Sequence, residues 1–374
     1  MLRFSLLFIL LLPAVCFAQL KITGKIINAD DKKPVANASV FLNNASTGNK
    51  TADDGSFMLS NVRPGQYDVI VSIVGYETHS QQLLVNNSNI TLSVIALKPK
   101  TIELKEVKIQ PNANWERYYA QFKRQFLGTT ANAAQCRILN PDLLDFEYDK
   151  KTHTLEASSY DFLEVENKAL GYKIKYKLNK FSYDSGKGFL YYEGISVFED
   201  MKGNKGKIRK WKKHRQDAYL GSPMHFLRSI ITNQLTSQGF EVFKLIRKPN
   251  PEYKGGLFDS KNKYLQTLIK QPLDLSAFAK RTDKAGFYAL GFNDCLYIMY
   301  NKKSSSTPDD IYRPLDMPDY ATSIATPDEH EAYAFFDNNG IISNPRSIIF
   351  EGDWGIYRMA EMLPVDYEPP AQGK

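Results

Sequence analysis

The stretch Thr51–Tyr76, TADDGSFMLSNVRPGQYDVIVSIVGY, decides how the first quarter of the chain folds. Asp54-Gly55 supplies the positive φ that a tight hairpin demands. Ser56–Leu59 follows as a short strand. Arg63-Pro64-Gly65 sets Pro at the φ it prefers with Gly after it, the pattern of a type II turn. Tyr67, Val69, Val71 and Ile73 then alternate with Asp68, Ile70 and Ser72, so one face is apolar and the other mixed. Gly75 ends the alternation at a point where a bulge re-aims a strand.

Working outward, Lys21–Asn28, Ala38–Leu42, Glu77–Val85, Ile90–Leu97 and Ile102–Ile109 add short β runs to Ser56–Leu59 and Gln66–Val74. Seven short strands with turn signals every 8–12 residues predict a two-sheet sandwich. The order G-K-I, then PVANASVFL, then TADDGSF, then PGQYDVIVSIVGY resembles the carboxypeptidase-regulatory-like domain across about residues 20–98. That resemblance implies a transthyretin-like β-sandwich of the kind that opens many exported envelope proteins. It implies no catalytic groups. The carboxypeptidases that carry such modules use His-x-x-Glu and a distant His. Here His153-Thr154-Leu155-Glu156 matches the first part, but it lies in a β run, where positions i and i+3 face opposite sides and cannot share one ion. Asp53 and Asp54 suggest calcium only with further oxygen ligands, and two adjacent acids serve equally as a turn. The chain is too short for the 22-stranded barrel of a TonB-dependent receptor behind such a module.

The N-terminus, MLRFSLLFILLLPAVCFAQL, has one cation, an apolar run and then small residues. It reads as a signal peptide over residues 1–18, with cleavage before Gln19. A retained anchor helix would need a longer run, and a lipoprotein would acylate Cys16 behind the poorly suited Val15. No later stretch approaches the length of a membrane-spanning helix, so the mature chain is expected to have no transmembrane span. The expected location is the periplasm, the outer membrane or the cell surface. The formal charge is +7 and the Lys+Arg count 48 against 41 Asp+Glu. This is a mild excess, and nucleic acid is the wrong partner for an exported protein. Loss of the signal leaves Cys136 and Cys295, which read either as one disulfide or as two buried thiols.

Behind the sandwich, expected at residues 19–100, residues 101–110 read as a linking strand and 111–374 as a β-rich α+β domain with two prominent helices. The first helix, Pro111–Gly128, carries Trp115, Tyr118, Tyr119, Phe122 and Phe126 at helical spacing. The stripe is either a ligand platform or the face that docks the helix on a sheet. The second, within Tyr219–Phe240, has Ser222 as cap, Pro223 at the first helical position and Gly239 as its stop. Strands are expected at Ile138–Tyr148, His153–Ser159, Tyr172–Tyr183, Phe189–Phe198, Glu241–Leu245, Phe287–Phe292, Cys295–Asn301, Glu331–Phe336 and Ser347–Phe350. Residues 304–310 read as a loop and Asp337–Gly340 as an Asn-Gly turn. Lys173, Lys175 and Lys177 alternate with apolar residues and mark a solvated face or a charged edge.

Two places draw a functional reading. The run Lys202–Arg215, KGNKGKIRKWKKHR, has eight Lys/Arg and no acid. Lys207, Arg209, Lys210, Trp211, Lys212, Lys213 and Arg215 form either a surface for an anionic partner or a solvated hairpin tip or loop. Trp211 suits a membrane–water boundary. His225 and Arg228 lie three apart on one helix face and read as an anion site or as a satisfied pair. No catalytic triad, phosphate loop or dinucleotide fingerprint appears, and no cofactor or metal is expected. The chain reads as a non-catalytic exported envelope protein whose back region binds an envelope protein, a lipid headgroup or a glycan. The alternatives are a hydrolase with a site assembled from scattered residues, and a lipid carrier with a sheet curled round an acyl chain.

Overall fold

The computed structural model describes residues 20–100, 114–253, 263–305, 317–328 and 330–370. The expected signal peptide, the linking strand at 102–109, the start of the first helix at 111–113 and most of the loop at 304–310 lie outside the described residues. The fold is mainly β, with sheets along the whole length and five helices among the described residues.

The front region is a sandwich of two four-stranded sheets. One sheet carries Ser56–Val62, Leu20–Asn28 and the short strands Ile90–Thr91 and Ile95–Leu97, both parallel to Leu20–Asn28. The other runs Gly48–Lys50, Ser39–Leu42, Gly65–Ser72, His79–Val85. Ile22, Ile26, Val40, Val69 and Val71 fill the space between them with no exposed surface. The expected run Ile90–Leu97 is split in two, and the three-residue strand Gly48–Lys50 had no apolar pattern to announce it. Gly55 takes φ +77°, and a Cβ there would lie 2.3 Å from the Ile26 carbonyl oxygen, so the turn admits only Gly. Gly65 works differently from the expected type II turn. It lies within a strand, and a Cβ there would meet the Asn339 amide oxygen at 2.7 Å. The back region approaches the front one at this point.

That approach is dense. Asn44 and Ala45 form the tip of a turn that enters the back region. Asn44 N–H donates to the Ser196 carbonyl at 2.8 Å and Phe198 N–H donates to the Ala45 carbonyl at 2.9 Å. The Ser196 hydroxyl donates to the Asn44 side chain at 2.7 Å. A C-terminal strap closes over the same turn: Val365 N–H donates to the Asn44 carbonyl at 2.7 Å, and Asp366 accepts from Ser46 N–H and its hydroxyl. Asn338 and Asn339 bond both the N–H and the carbonyl of Gln66.

The back region holds a six-stranded, a five-stranded and a three-stranded sheet. Helix α1 (Trp115–Leu127) docks on the first. Phe122 and Phe126 are fully buried, with rings against Phe146, Phe181, Tyr176 and Tyr192. The aromatic stripe is thus the docking face. It fills the space that a lipid-carrier reading would give to an acyl chain. Tyr172–Asp184 is interior to the sheet, paired on both sides, so its lysines do not guard an edge. Lys173 lies between Glu166 and Glu199, and Lys175 opposite Glu164, which balances the charged face. Leu163–Asn167, Tyr264–Ile269 and Tyr320–Pro327 are strands the pattern did not suggest.

Helix α2 (Lys205–Tyr219) is a third long helix, in place of the expected hairpin tip or loop. The predicted second helix is broken into α3 (Pro223–Ile231) and α4 (Leu235–Gln238), because Asn233 adopts φ +54° between them. Helix α5 (Asp353–Ile356) buries Trp354 beside Phe226. Cys136 and Cys295 are both free and buried, in different clusters. Burial pushes the Cys136 thiol up to about 12, so it stays protonated and inert. Phe122→Ala should cost about 3–5 kcal/mol in urea unfolding, since it empties the center of the α1 docking face; a loss under about 1 kcal/mol would show that α1 does not depend on this ring.

Candidate functional site

The basic run becomes a helix for local reasons. Asn204 caps it, its side chain accepting Lys207 N–H at 2.9 Å. From there to Tyr219 no proline interrupts, and Ile208 is the one β-branched residue. The helix is then held by its inner face. Trp211 Nε1–H donates to the Lys168 carbonyl at 2.9 Å, and His214 Nδ1 lies 3.1 Å from the Ala169 carbonyl. Arg215 donates to the Leu170 carbonyl at 2.7 Å and the Gly171 carbonyl at 3.0 Å. Four successive carbonyls of the Lys168–Gly171 turn are thus met by three side chains of α2. Arg215 also pairs with Asp200 at 2.7 Å, and its guanidinium sits 3.7 Å from the centroid of the Tyr172 ring. Gly171, at φ +71°, makes room for Trp211; a Cβ there would fall 2.1 Å from the indole.

This geometry divides the seven expected surface residues. Trp211 is 8% exposed, and it anchors the helix within the protein instead of marking a boundary with lipid. Arg215 is committed to the same anchor. Lys207, Arg209, Lys210, Lys212 and Lys213 are exposed, as is Lys205, which the sequence reading left off. At 3.6 residues per turn Lys205, Arg209, Lys212 and Lys213 share one face opposite Trp211. Among the described residues none of these six cations forms an ion pair. Lys205–Arg209 and Arg209–Lys213 are like charges at i,i+4, each costing about 0.2–0.5 kcal/mol.

His225 and Arg228 lie on α3, side by side but bonded in different directions. His225 Nδ1 accepts Gly221 N–H at 3.1 Å, so the proton sits on Nε2, which donates to Gln238 at 3.1 Å. Its ring is walled by Tyr219, Phe240 and Tyr300. Burial pushes the imidazole down to about 4, so it is neutral near pH 7. Arg228 gives its donors to the carbonyls of Asn339, Tyr367 and Val365 at 2.7–2.8 Å. Arg228 thus holds the C-terminal strap in place, while His225 ties α3 to α4. Nearby, burial pushes Asp337 up to about 6 although it accepts two backbone N–H groups. Among the described residues no group of three or more His, Cys, Asp or Glu is placed to hold a metal.

The sequence reading missed a feature that no single segment carries. An open cleft of about 940 Å³ runs between the front sheet and the six-stranded back sheet. Phe41 from the front and Phe162 from the back meet edge-on at its floor, centroids 6.1 Å apart.

Comparison with known proteins bears on the front region. Residues 22–109 match the model of the CarboxypepD_reg-like domain. The front region is a CarboxypepD_reg-like domain. Its likeness to solved structures is slight. A type II cohesin–X–dockerin interface mutant from Acetivibrio cellulolyticus is 20% identical over 21% of this chain and 56% of its own, with a TM-score of 0.19. A putative carbohydrate binding protein from Bacteroides uniformis is 11% identical over 48% of this chain and 79% of its own, TM-score 0.19. A DUF3823 family protein from the same organism is 9% identical over 85% of this chain and 98% of its own, TM-score 0.17. The chain spans just over half the length of the cohesin–dockerin chains it matches. No curated protein matches the chain.

The His225 geometry sets a pH dependence. As pH falls from 6.5, the unfolded chain takes up the proton before the folded one, whose imidazole resists to about 4. His225 therefore contributes stability above pH 6.5 that is lost as pH falls toward 4, about 3 kcal/mol in all. His225→Gln should remove that loss, so that urea unfolding shows the variant gaining on the native chain by about 3 kcal/mol across this window. Asp337 titrates over nearly the same range with the opposite sign and cancels in the difference. A constant gap between the two proteins would mean that the His225 imidazole takes up its proton as readily in the fold as in the unfolded chain.

Proposed function

We propose that this chain is a non-catalytic exported protein of the cell envelope that holds an anionic membrane surface through α2. The observation that carries the reading is the basic face of that helix. Four cations face outward with no acid among them, at a cost in mutual repulsion, on a helix pinned by Trp211, His214 and Arg215. A face that repels itself is stabilised when anions are laid across it. The anchor supports the reading further, because it spares the exposed cations from any structural duty and holds them in one plane. Lipid phosphates suit this face better than a single small anion. Lys205 to Lys213 spans about 12 Å of helix axis, and the charges point outward instead of converging.

The test is sedimentation of the full mature chain with vesicles of phosphatidylglycerol and phosphatidylcholine, and with phosphatidylcholine alone. Binding should require the anionic lipid and weaken with added salt. The combined variant Lys205→Gln, Arg209→Gln, Lys212→Gln and Lys213→Gln should lose it, each residue being worth about 1 kcal/mol near such a surface. Its thermal unfolding should match the native chain within about 0.5 kcal/mol, as expected for surface positions. Equal binding to both vesicle types, or a variant that binds as before, would remove α2 from this role.

A further inference from the structure

The cleft between the front and back regions is separate from α2, and neither its floor nor its rims serve the helix. We propose that it is a binding site for an acidic oligosaccharide. Its two rims are apolar and open. Val74, on the turn that ends the Gly65–Ser72 strand, is 91% exposed, and Tyr160, on the turn before Leu163–Asn167, is 58% exposed. Both line the cleft, with the Phe41–Phe162 pair below them. An exposed aromatic ring beside a wet groove suits a ligand with an apolar C–H face and a polar edge, which describes a sugar ring.

The polar lining points the same way. Ser39, Ser72 and Thr78 border the cleft, and among the described residues their hydroxyls carry no side-chain hydrogen bond in the fold. They are free to bond sugar hydroxyls, and a volume of about 940 Å³ lies at the upper end of the range for ligand sites.

The charges choose the kind of sugar. Four lysines and two acids line the cleft. Lys175 and Glu199 cancel at 3.1 Å, and Asp161 accepts the N–H of Phe162 at 2.8 Å. Lys50, Lys100 and Lys177 are left without an acidic partner among the described residues. Asp161 keeps its charge, so the lining carries a net +2, and a groove of that sign attracts carboxylates, as on a uronate chain. A peptide is the less suited occupant. The neighbouring edge strand, Gly48–Lys50, has three residues, which is short for holding an added strand by main-chain bonds.

The experiment is calorimetric titration of the full mature chain at low salt with hexagalacturonate, with the neutral β-1,4-galactohexaose and with hexaglutamate. Hexagalacturonate should bind, and the other two at least about tenfold more weakly. Tyr160→Ala, and separately Lys50→Gln with Lys177→Gln, should each weaken hexagalacturonate by about tenfold or more, the loss expected for one ring contact or a pair of charged hydrogen bonds. All three positions lie on the surface of the cleft, so melting temperatures should hold, and two independent variants guard against one misfolding. The α2 quadruple variant should bind hexagalacturonate as the native chain does. The proposal is overturned if hexagalacturonate does not bind, if hexaglutamate binds equally, if both folded cleft variants keep native affinity, or if the α2 variant alone abolishes binding.

Discussion

The joint between the front sandwich and the back region depends on a few main-chain hydrogen bonds around Asn44 and Ala45. A turn pushed into the interior brings polar N–H and carbonyl groups out of water, and each left unmet costs about 1–3 kcal/mol. Here Ser196, Phe198 and Val365 meet them one by one, and Asp366 takes the next N–H along. The back region supplies what the turn needs, and the turn supplies what the edge of the Phe189–Asp200 strand needs. Front and back are therefore fastened by obligatory groups, with Val365 also buried in the front core. The cleft beside the joint keeps its shape for the same reason, with Phe41 and Phe162 set by the two regions it separates.

The same logic of satisfied carbonyls governs α2. The Lys168–Gly171 turn is covered by Trp211, His214 and Arg215, which accounts for an indole and a guanidinium inside a basic run. Their spacing of three, then one, places all three on one side of a helix. Lys205, Arg209, Lys212 and Lys213 fall on the opposite side of the helix, away from that turn. A segment that looks uniform in composition is thus two surfaces with different duties.

Local chemistry made the front sandwich readable. Gly55 and the alternation from Tyr67 are dictated by φ angles and by sheet pleat, and these act over a few residues. Helix α1 was readable because its apolar spacing repeats four times. Gly65 was noticed for the wrong reason: its glycine is required by Asn339, some 270 positions away, and no local pattern encodes that. Helix α2 was unreadable as a helix because its inner face is built from Trp, His and Arg, which reach polar partners and leave no apolar period. The break at Asn233 lies among weak helix formers, Ile230, Ile231 and Thr232, a signal that the apolar stripe outweighed. The basic run itself was visible as a candidate, yet which of its residues face out depended on the turn at 168–171. The cleft was illegible in principle, since its two walls come from different regions and neither wall is distinctive alone.

The strap at Val365–Glu368 has a consequence for how the chain reaches this state. Its bonds to Ser46 join positions 320 apart in sequence. Contacts that close so long a loop bear an entropy cost before they return anything, so they form late. Residues 20–100 can assemble their sheets from neighbours within reach. The joint beside the groove is complete only when the last described segment lies against the Asn44 turn and is held by Arg228. Up to that moment the Asn44 carbonyl lacks its Val365 partner, and front and back are joined by the bonds of Asn44 and Ala45 to Ser196 and Phe198 and of Gln66 to Asn338 and Asn339. The strap works as a clasp that is fastened last, over a joint whose other bonds are already within the two regions' reach.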